Sequence, residues 1–210
     1  MKNSSWLIAF FLITNVLSAQ SVDKKATAIL NEITAKTKAY KTLRIEFSYT
    51  MENTKEKIKD NFNGTLLSKG DKYKLSIAGQ DVICDGKTSW TYLKDAKEVQ
   101  INDVGVDEDS FTPTKMLTSY SENFRAKFIT DKNNKQVIEL TPLKKGKSLS
   151  KVILKIDKLK KQVSSFVMYD KGGNTFTYTI NKFITDPTLA DKEFAFNKAD
   201  YPGVEIVDMR

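Results

Sequence analysis

Apolar positions keep two different periods along this chain. Val22, Ala26, Ile29, Leu30, Ile33 and Tyr40 recur at helical spacing, with Asp23, Lys24, Lys25, Asn31, Glu32 and Lys36 between them. The spacing predicts one amphipathic helix over residues 22–40, with Ser21 as its N-cap. From Leu43 the period falls to two. Leu43, Ile45, Phe47, Tyr49 and Met51 alternate with polar residues, as a strand buried on one face requires. Ile58, Phe62 and Leu66 continue the alternation, and Tyr73, Leu75 and Ile77 follow a turn at Lys69-Gly70-Asp71. Val82 to Cys84, a turn at Asp85-Gly86, then Trp90 and Tyr92 read as a hairpin. Val99 and Ile101 make a further short strand.

Residues 102–119 break this pattern. Asp103, Asp107, Glu108 and Asp109 surround Gly105 without the spacing or closing Glu of a calcium loop. Thr112-Pro113 then predicts the start of a short helix carrying Met116, Leu117 and Tyr120, because Thr caps and Pro suits the first turn. Strand patterns resume over 124–130, 136–140, 151–156, 163–169 and 174–183, separated by turns at Asn133-Asn134, 144–147, 158–161 and Gly172-Gly173. The tail from Phe194 to Val207 has its own apolar beat. The expected fold is mainly β (α+β): about ten or eleven antiparallel strands in one curved sheet or open half-barrel, with the N-terminal helix packed on it.

Such a sheet need bury only one face. The alternating positions assigned to that face are rich in aromatics: Phe47, Phe62, Tyr73, Trp90, Tyr92, Phe128, Phe166 and Phe176. Two readings stay open. The rings interdigitate as a dry core, or they line a cavity, closed by the helices, that takes an apolar ligand.

The first nineteen residues change the cellular picture. Lys2 precedes a mostly apolar run from Trp6 to Leu17 that ends in Ser18-Ala19. This is the pattern of a secretory signal peptide, cut after Ala19, and is too short for a spanning helix of about 20 apolar residues. A short N-terminal anchor is the other reading. The residue after the cut is Gln20 rather than the Cys of a bacterial lipoprotein. The expectation is an exported, soluble protein whose residues 20–210 form a single domain.

Composition then narrows the chemistry. The chain has no histidine, which removes the usual general base and the commonest metal ligand. Its one cysteine, Cys84, lies in the apolar strand pattern Val82-Ile83-Cys84 and reads as a small buried hydrophobe. Asp85 and Asp170 lie in turn contexts and read as turn formers. No phosphate loop or catalytic constellation is present, so the expectation is a non-enzyme without cofactor or metal. The net charge of +8 is spread along the chain, with one dense patch of four lysines between Lys144 and Lys151. That patch reads as a solvated surface, or as attraction to an anionic membrane face or acidic partner.

Several stretches, in order, resemble the periplasmic outer-membrane lipoprotein carrier family (LolA-type). They are Phe62-Asn63-Gly64-Thr65-Leu66-Leu67 with Lys72-Tyr73-Lys74-Leu75, Asp85-Gly86-Lys87-Thr88-Ser89-Trp90, and Thr112-Pro113 with Met116-Leu117. Leu140-Thr141-Pro142, Gly172-Gly173-Asn174 before Phe176, and Phe194-Ala195-Phe196 before Pro202-Gly203-Val204-Glu205 complete the set. The resemblance covers roughly residues 22–208. It implies an unclosed antiparallel β-barrel with a helical lid over a hydrophobic cavity. It further implies a monomeric carrier that takes lipoprotein acyl chains from an inner-membrane ATP-driven transporter and passes them to an outer-membrane acceptor. Matched to the family's inward positions, the lining would be Tyr73, Leu75, Val82 and Trp90. Strand parity adds Phe47, Phe62 and Phe176. Met116 and Leu117 would belong to the lid. Where the family carries an Arg that latches the lid, this chain has Lys69, followed by Tyr73-x-Leu75. Lys lacks the planar fork of Arg, so a latch here would be weaker or organised otherwise. A carrier of another amphiphile, such as a glycolipid, and a lipoprotein-sensing or protein-interaction domain on the same scaffold are the alternative readings.

Overall fold

A computed structural model describes residues 23–104, 120–144 and 148–210, with the side chains of 121 and 122 excepted. The expected signal peptide, and the lid residues Met116 and Leu117, lie outside the described residues.

The helical period produces α1, Lys24–Ala39. Its N-cap is Asp23, whose Oδ1 accepts from the Ala26 amide at 2.9 Å. The helix therefore begins two residues inside the predicted span, at the residue that satisfies its first orphan amides. The other carboxylate oxygen accepts from the Phe128 amide at 2.7 Å.

The remaining elements are β1 (Thr42–Asn53), β2 (Ile58–Lys69), β3 (Lys72–Ile77), β4 (Gln80–Cys84), β5 (Thr88–Leu93), β6 (Glu98–Asp103), a single helical turn α2 (Tyr120–Asn123), β7 (Phe124–Lys132), β8 (Lys135–Pro142), β9 (Leu149–Asp157), β10 (Gln162–Asp170), β11 (Asn174–Thr185) and β12 (Glu205–Asp208). Between β11 and β12 run the 3₁₀ turns Asp191–Phe194 and Lys198–Asp200. Among the described residues all strands form one sheet of twelve, in the order β12-β6-β5-β4-β3-β2-β1-β11-β10-β9-β8-β7. The count exceeds the expected ten or eleven because the tail supplies β12, which pairs parallel to β6. Every other pairing is antiparallel, and the sheet is open, with β12 and β7 at its two edges.

Turn chemistry agrees with the punctuation in the chain. Asn133 and Asn134 both have positive φ, 53° and 57°, which suits a two-residue hairpin turn. Asp85 Oδ1 accepts from the amides of Lys87 and Thr88, each at 2.8 Å, and Asp170 accepts from the Asn174 amide at 2.7 Å. Cys84 is fully buried.

One core lies between α1 and the face of the sheet here termed inner. Ala26, Leu30 and Ile33 of α1 pack on Ile138, Leu140, Val152, Leu154, Ile156 and Phe166. Tyr120 joins them, its hydroxyl donating to Asn31 Oδ1 at 2.7 Å. On the same face Ile45, Phe47 and Leu66 form a second cluster with Tyr73, Leu75, Tyr178, Ile180 and Phe183 at its margin. The two clusters meet at Tyr178.

Backbone hydrogen bonds hold the Asp23 carboxyl below the usual aspartate value of 3.8. A lowered pKa means that the folded state prefers the carboxylate, so its contribution is present above that value and fades as the pH falls through the folded value. An Asp23→Ala variant is expected to melt several degrees below the parent at neutral pH. The gap should narrow in melts recorded below pH 3.8. A gap independent of pH would remove the carboxylate from the explanation.

Candidate functional site

Register assigns each expected lining residue to a face, because residues directly opposite one another in a ladder project to the same side. Tyr49 opposes Phe62 on β2 and Tyr178 on β11, and Phe176 opposes Met51. Phe47 opposes Gly64, Gly64 opposes Ile77, Leu66 opposes Leu75, and Leu75 opposes Val82. Phe47, Phe62, Tyr73, Leu75, Val82 and Phe176 therefore share the inner face.

Trp90 does not. It opposes Ile83, while Val82 opposes Thr91. Trp90 and Tyr92 point to the outer face, which corrects the expectation that placed them beside Leu75. The physical reason is loop length. Four residues separate the paired Cys84 and Ser89, so the even-numbered positions of β4 and β5 fall on opposite sides. The apolar side of the sheet thus changes over between β4 and β5. Inner positions become Ser89, Thr91, Gln100 and Asn102, and outer positions become Trp90, Tyr92, Val99 and Ile101.

The outer apolar patch has its own cover. Trp90 stacks on Phe196 with centroids 6.2 Å apart, Phe196 stacks on Tyr201 at 5.0 Å, and Tyr201 meets Tyr92 edge-on at 4.9 Å. Val99 is fully buried and Phe194 is nearly so. The C-terminal segment that provides these rings is anchored where it leaves β11. Asp186 accepts from the Lys41 amide at 2.7 Å, and the Thr42 hydroxyl donates to the Pro187 carbonyl at 2.6 Å. Lys69, expected at the lid, donates to Asp191 of this segment at 3.1 Å, and Lys72 approaches the same oxygen at 3.4 Å. These two ammonium groups hold the Asp191 carboxyl below its usual range.

The inner face carries a continuous row of rings. Phe62 stacks on Tyr49 at 6.0 Å, Tyr49 meets Tyr178 at 4.8 Å, and Tyr178 stacks on Phe166 at 4.5 Å. Phe176 stacks on Tyr49 at 6.4 Å, and Phe47 tilts against Tyr178 at 5.8 Å. The row is graded in exposure. Phe47 and Phe166 are buried, whereas Phe62 is 40% exposed and Ile58, further toward the β1–β2 turn, is 42% exposed. Burial pushes the Tyr178 and Tyr49 phenols above their usual value, so both stay neutral and chemically quiet at physiological pH. Strand alternation does not single out Tyr49 and Tyr178 as site residues. Their position between Phe62 and Phe166 depends on the long-range pairing of β1 with β11, which local patterning does not specify.

Between the rings and the end of α1 lies an apolar void of about 30 Å³. Ile45, Phe47, Leu66, Val163, Phe166 and Phe183 are among its walls, with Thr37 above. Drug-sized ligands occupy pockets of about 300–1,000 Å³. Among the described residues, this void beneath α1 is therefore near the size of one or two waters, and the side chains around it pack closely. Gly64 contributes to this fit. A Cβ there would lie 2.4 Å from Phe47 Cζ, so the missing side chain is the space the Phe47 ring occupies.

A second, open groove of about 390 Å³ lies where Glu46, Asn63, Thr65, Ser76, Lys94 and Asn181 converge. Its walls mix these polar groups with Phe47, Ile77 and Ala78, so it offers no continuous apolar lining. Among the described residues, no group of three or more acidic or Cys side chains is placed to hold a metal ion.

The sequence model of the family described as outer membrane lipoprotein carrier protein LolA matches residues 38–197. Among solved structures, a LolA superfamily protein from Nitrosomonas europaea is 13% identical, with 81% of this chain and 97% of that chain covered and a TM-score of 0.48. A putative outer membrane lipoprotein-sorting protein domain from Vibrio parahaemolyticus is 16% identical, with coverages of 84% and 98% and a TM-score of 0.47. The lipoprotein LppX from Mycobacterium tuberculosis is 11% identical, with coverages of 80% and 98% and a TM-score of 0.45. No curated protein sequence matches.

The outer cluster can be separated from the inner face by a double-mutant cycle. Trp90→Ala and Phe196→Ala should each lower stability, with a coupling of about 1 kcal/mol in denaturant melts because the two rings stack. Strict additivity would show that the C-terminal segment does not rest on Trp90.

Proposed function

Since the chain belongs to the outer membrane lipoprotein carrier (LolA) family, we propose that it is a periplasmic carrier that holds the acyl chains of lipoproteins on its inner apolar face during transfer from the inner to the outer membrane. In this reading an inner-membrane ATP-driven release transporter supplies the cargo and an outer-membrane acceptor removes it. The observation that carries the proposal is the graded row of rings. Exposed Phe62 with half-buried Tyr49 and Phe176 offers an apolar landing strip at the β1–β2 end, which continues inward to the void beneath α1.

The physical chemistry of a carrier follows from that gradient. Each methylene removed from water is worth about 0.8 kcal/mol, so an acyl chain gains by lying along the strip. From Tyr49 to Ile45 the face runs four residues of β1, about 14 Å of extended strand. To reach the void, a chain must displace rings already packed against one another and against α1. That displacement offsets part of the gain in burial, leaving a bound state that can still give up its cargo. No group on the inner face needs to react, and the neutral phenols of Tyr49 and Tyr178 fit a passive lining.

One observation favours a second reading, a protein-interaction domain on the same scaffold. The void beneath α1 measures only about 30 Å³, as a gap in a dry core would. Titration with a fluorescent fatty acid distinguishes the two. The carrier reading expects saturable binding that Tyr49→Asp and Leu75→Asp each weaken at least tenfold, an effect of about 1.4 kcal/mol or more. Trp90→Ala, on the outer face, should bind as the parent does. No saturable binding by the parent, or equal loss in all three variants, would shift the assignment to the interaction domain.

A further inference from the structure

The outer face of β7–β10 is left out of both cores. Among the described residues, the helices that contact this half, α1 and α2, pack on the inner side, and the C-terminal segment covers the other half of the sheet. Register places its outward residues in rows. Arg125, Thr141, Lys151 and Tyr169 form one row, and Lys127, Glu139, Ile153 and Val167 form the next. Val137 and Lys155 belong to the row beyond. Four cations thus surround a strip of Val137, Ile153 and Val167, with Glu139 as the sole carboxylate in those rows. Glu139 contacts Lys151 at 3.5 Å. Arg125, Lys127 and Lys155 are exposed and make no ion pair among the described residues. The nearby strand-end acids are engaged elsewhere: Asp131 with Lys158, Asp157 with Lys135 and Asp170 with Asn174.

We propose that this outer face of β7–β10 docks on an anionic lipid bilayer surface. The surplus positive charge selects an anionic partner, and its layout selects the kind. The cations stand singly on long flexible stems over about 10 Å across the strands and about 14 Å along them, from ladder spacing and strand rise. No cleft or fixed fork joins them. Such a layout fits laterally mobile headgroups better than one fixed carboxylate pattern on a folded partner. Lys151 Nζ lies 5.2 Å from the centroid of the half-buried Tyr169 ring, and aliphatic side chains fill the space between cations. Amphipathic tips over an apolar body suit the headgroup boundary. The inference stands apart from the acyl-binding proposal, because it concerns the opposite face of the sheet and needs no cargo.

The test is flotation of the purified protein with vesicles of phosphatidylcholine alone or mixed with phosphatidylglycerol, at two salt concentrations. At low salt the protein should bind the anionic vesicles at least tenfold more tightly than the neutral ones, and added salt should erase most of the difference. Lys127→Glu with Lys155→Glu should abolish that preference. Lys192→Glu with Lys198→Glu makes the same charge change on the C-terminal segment and should preserve it. A milder pair, Lys127→Gln with Lys155→Gln, with an unchanged melting curve, should lose several-fold and guards against misfolding of the reversal pair. Fatty-acid binding by the variants should equal that of the parent. Absence of vesicle binding, binding indifferent to lipid charge, or equal loss in both reversal pairs would overturn the assignment. So would capture of an acidic protein without any vesicle binding.

Discussion

A sheet that does not close on itself must find a separate cover for each stretch of its apolar surface, because exposed backbone edges and large apolar faces both invite unwanted pairing. Here twelve strands share one ladder, and no single element is wide enough to shield them. α1 crosses the inner face over β7–β11, and the C-terminal segment lies on the outer face over β4–β6. The change of apolar side between β4 and β5 makes two covers on opposite faces possible. On the inner face of β2, β1 and β11 lies the half-exposed row of aromatics that forms the candidate site.

The two termini also manage the edges. β12 adds a strand to β6 in the parallel sense, and the next amide, that of Met209, still bonds to the Ile101 carbonyl at 2.9 Å. At the other edge, Asp23 caps the helix and simultaneously takes up the Phe128 amide beside the bulge in β7. One carboxylate therefore ties the cover to the edge that it protects. The bulge and an occupied amide both make that edge a poor template for a further strand.

Most of the strand plan was legible in the chain. Alternation located each long strand, and turn residues located their ends, because Asn, Gly and Asp meet specific backbone demands that leave local signatures. What escaped reading was non-local. The parity of Trp90 relative to Val82 depends on whether the loop between the paired residues holds an even or odd number of positions, and Asp85-Gly86-Lys87-Thr88 is compatible with either register until the ladder is seen. The roles of Tyr49 and Tyr178 required knowing that β1 pairs with β11. Asp191 as the partner of Lys69 required knowing that the C-terminal segment returns across β3 and β4. Asp23 displaced Ser21 as the expected cap for a tertiary reason, since its second oxygen also reaches β7.

The seam between β1 and β11 has a consequence for how the chain reaches this state. β1–β6 form one meander and β7–β11 another, each built from neighbours in sequence. The β1–β11 seam is the strand pairing that joins the two meanders, and its side-chain bond from Asn53 to Asn174 spans 121 positions. Closing so long a loop costs entropy before any contact repays it. Each meander is built from local contacts, and their joining carries the larger cost in loop-closure entropy. Until it occurs, the rings of Tyr49 and Tyr178 face water on separate halves. In this fold the candidate site cannot exist before the seam closes, because its rings come from both sides of it.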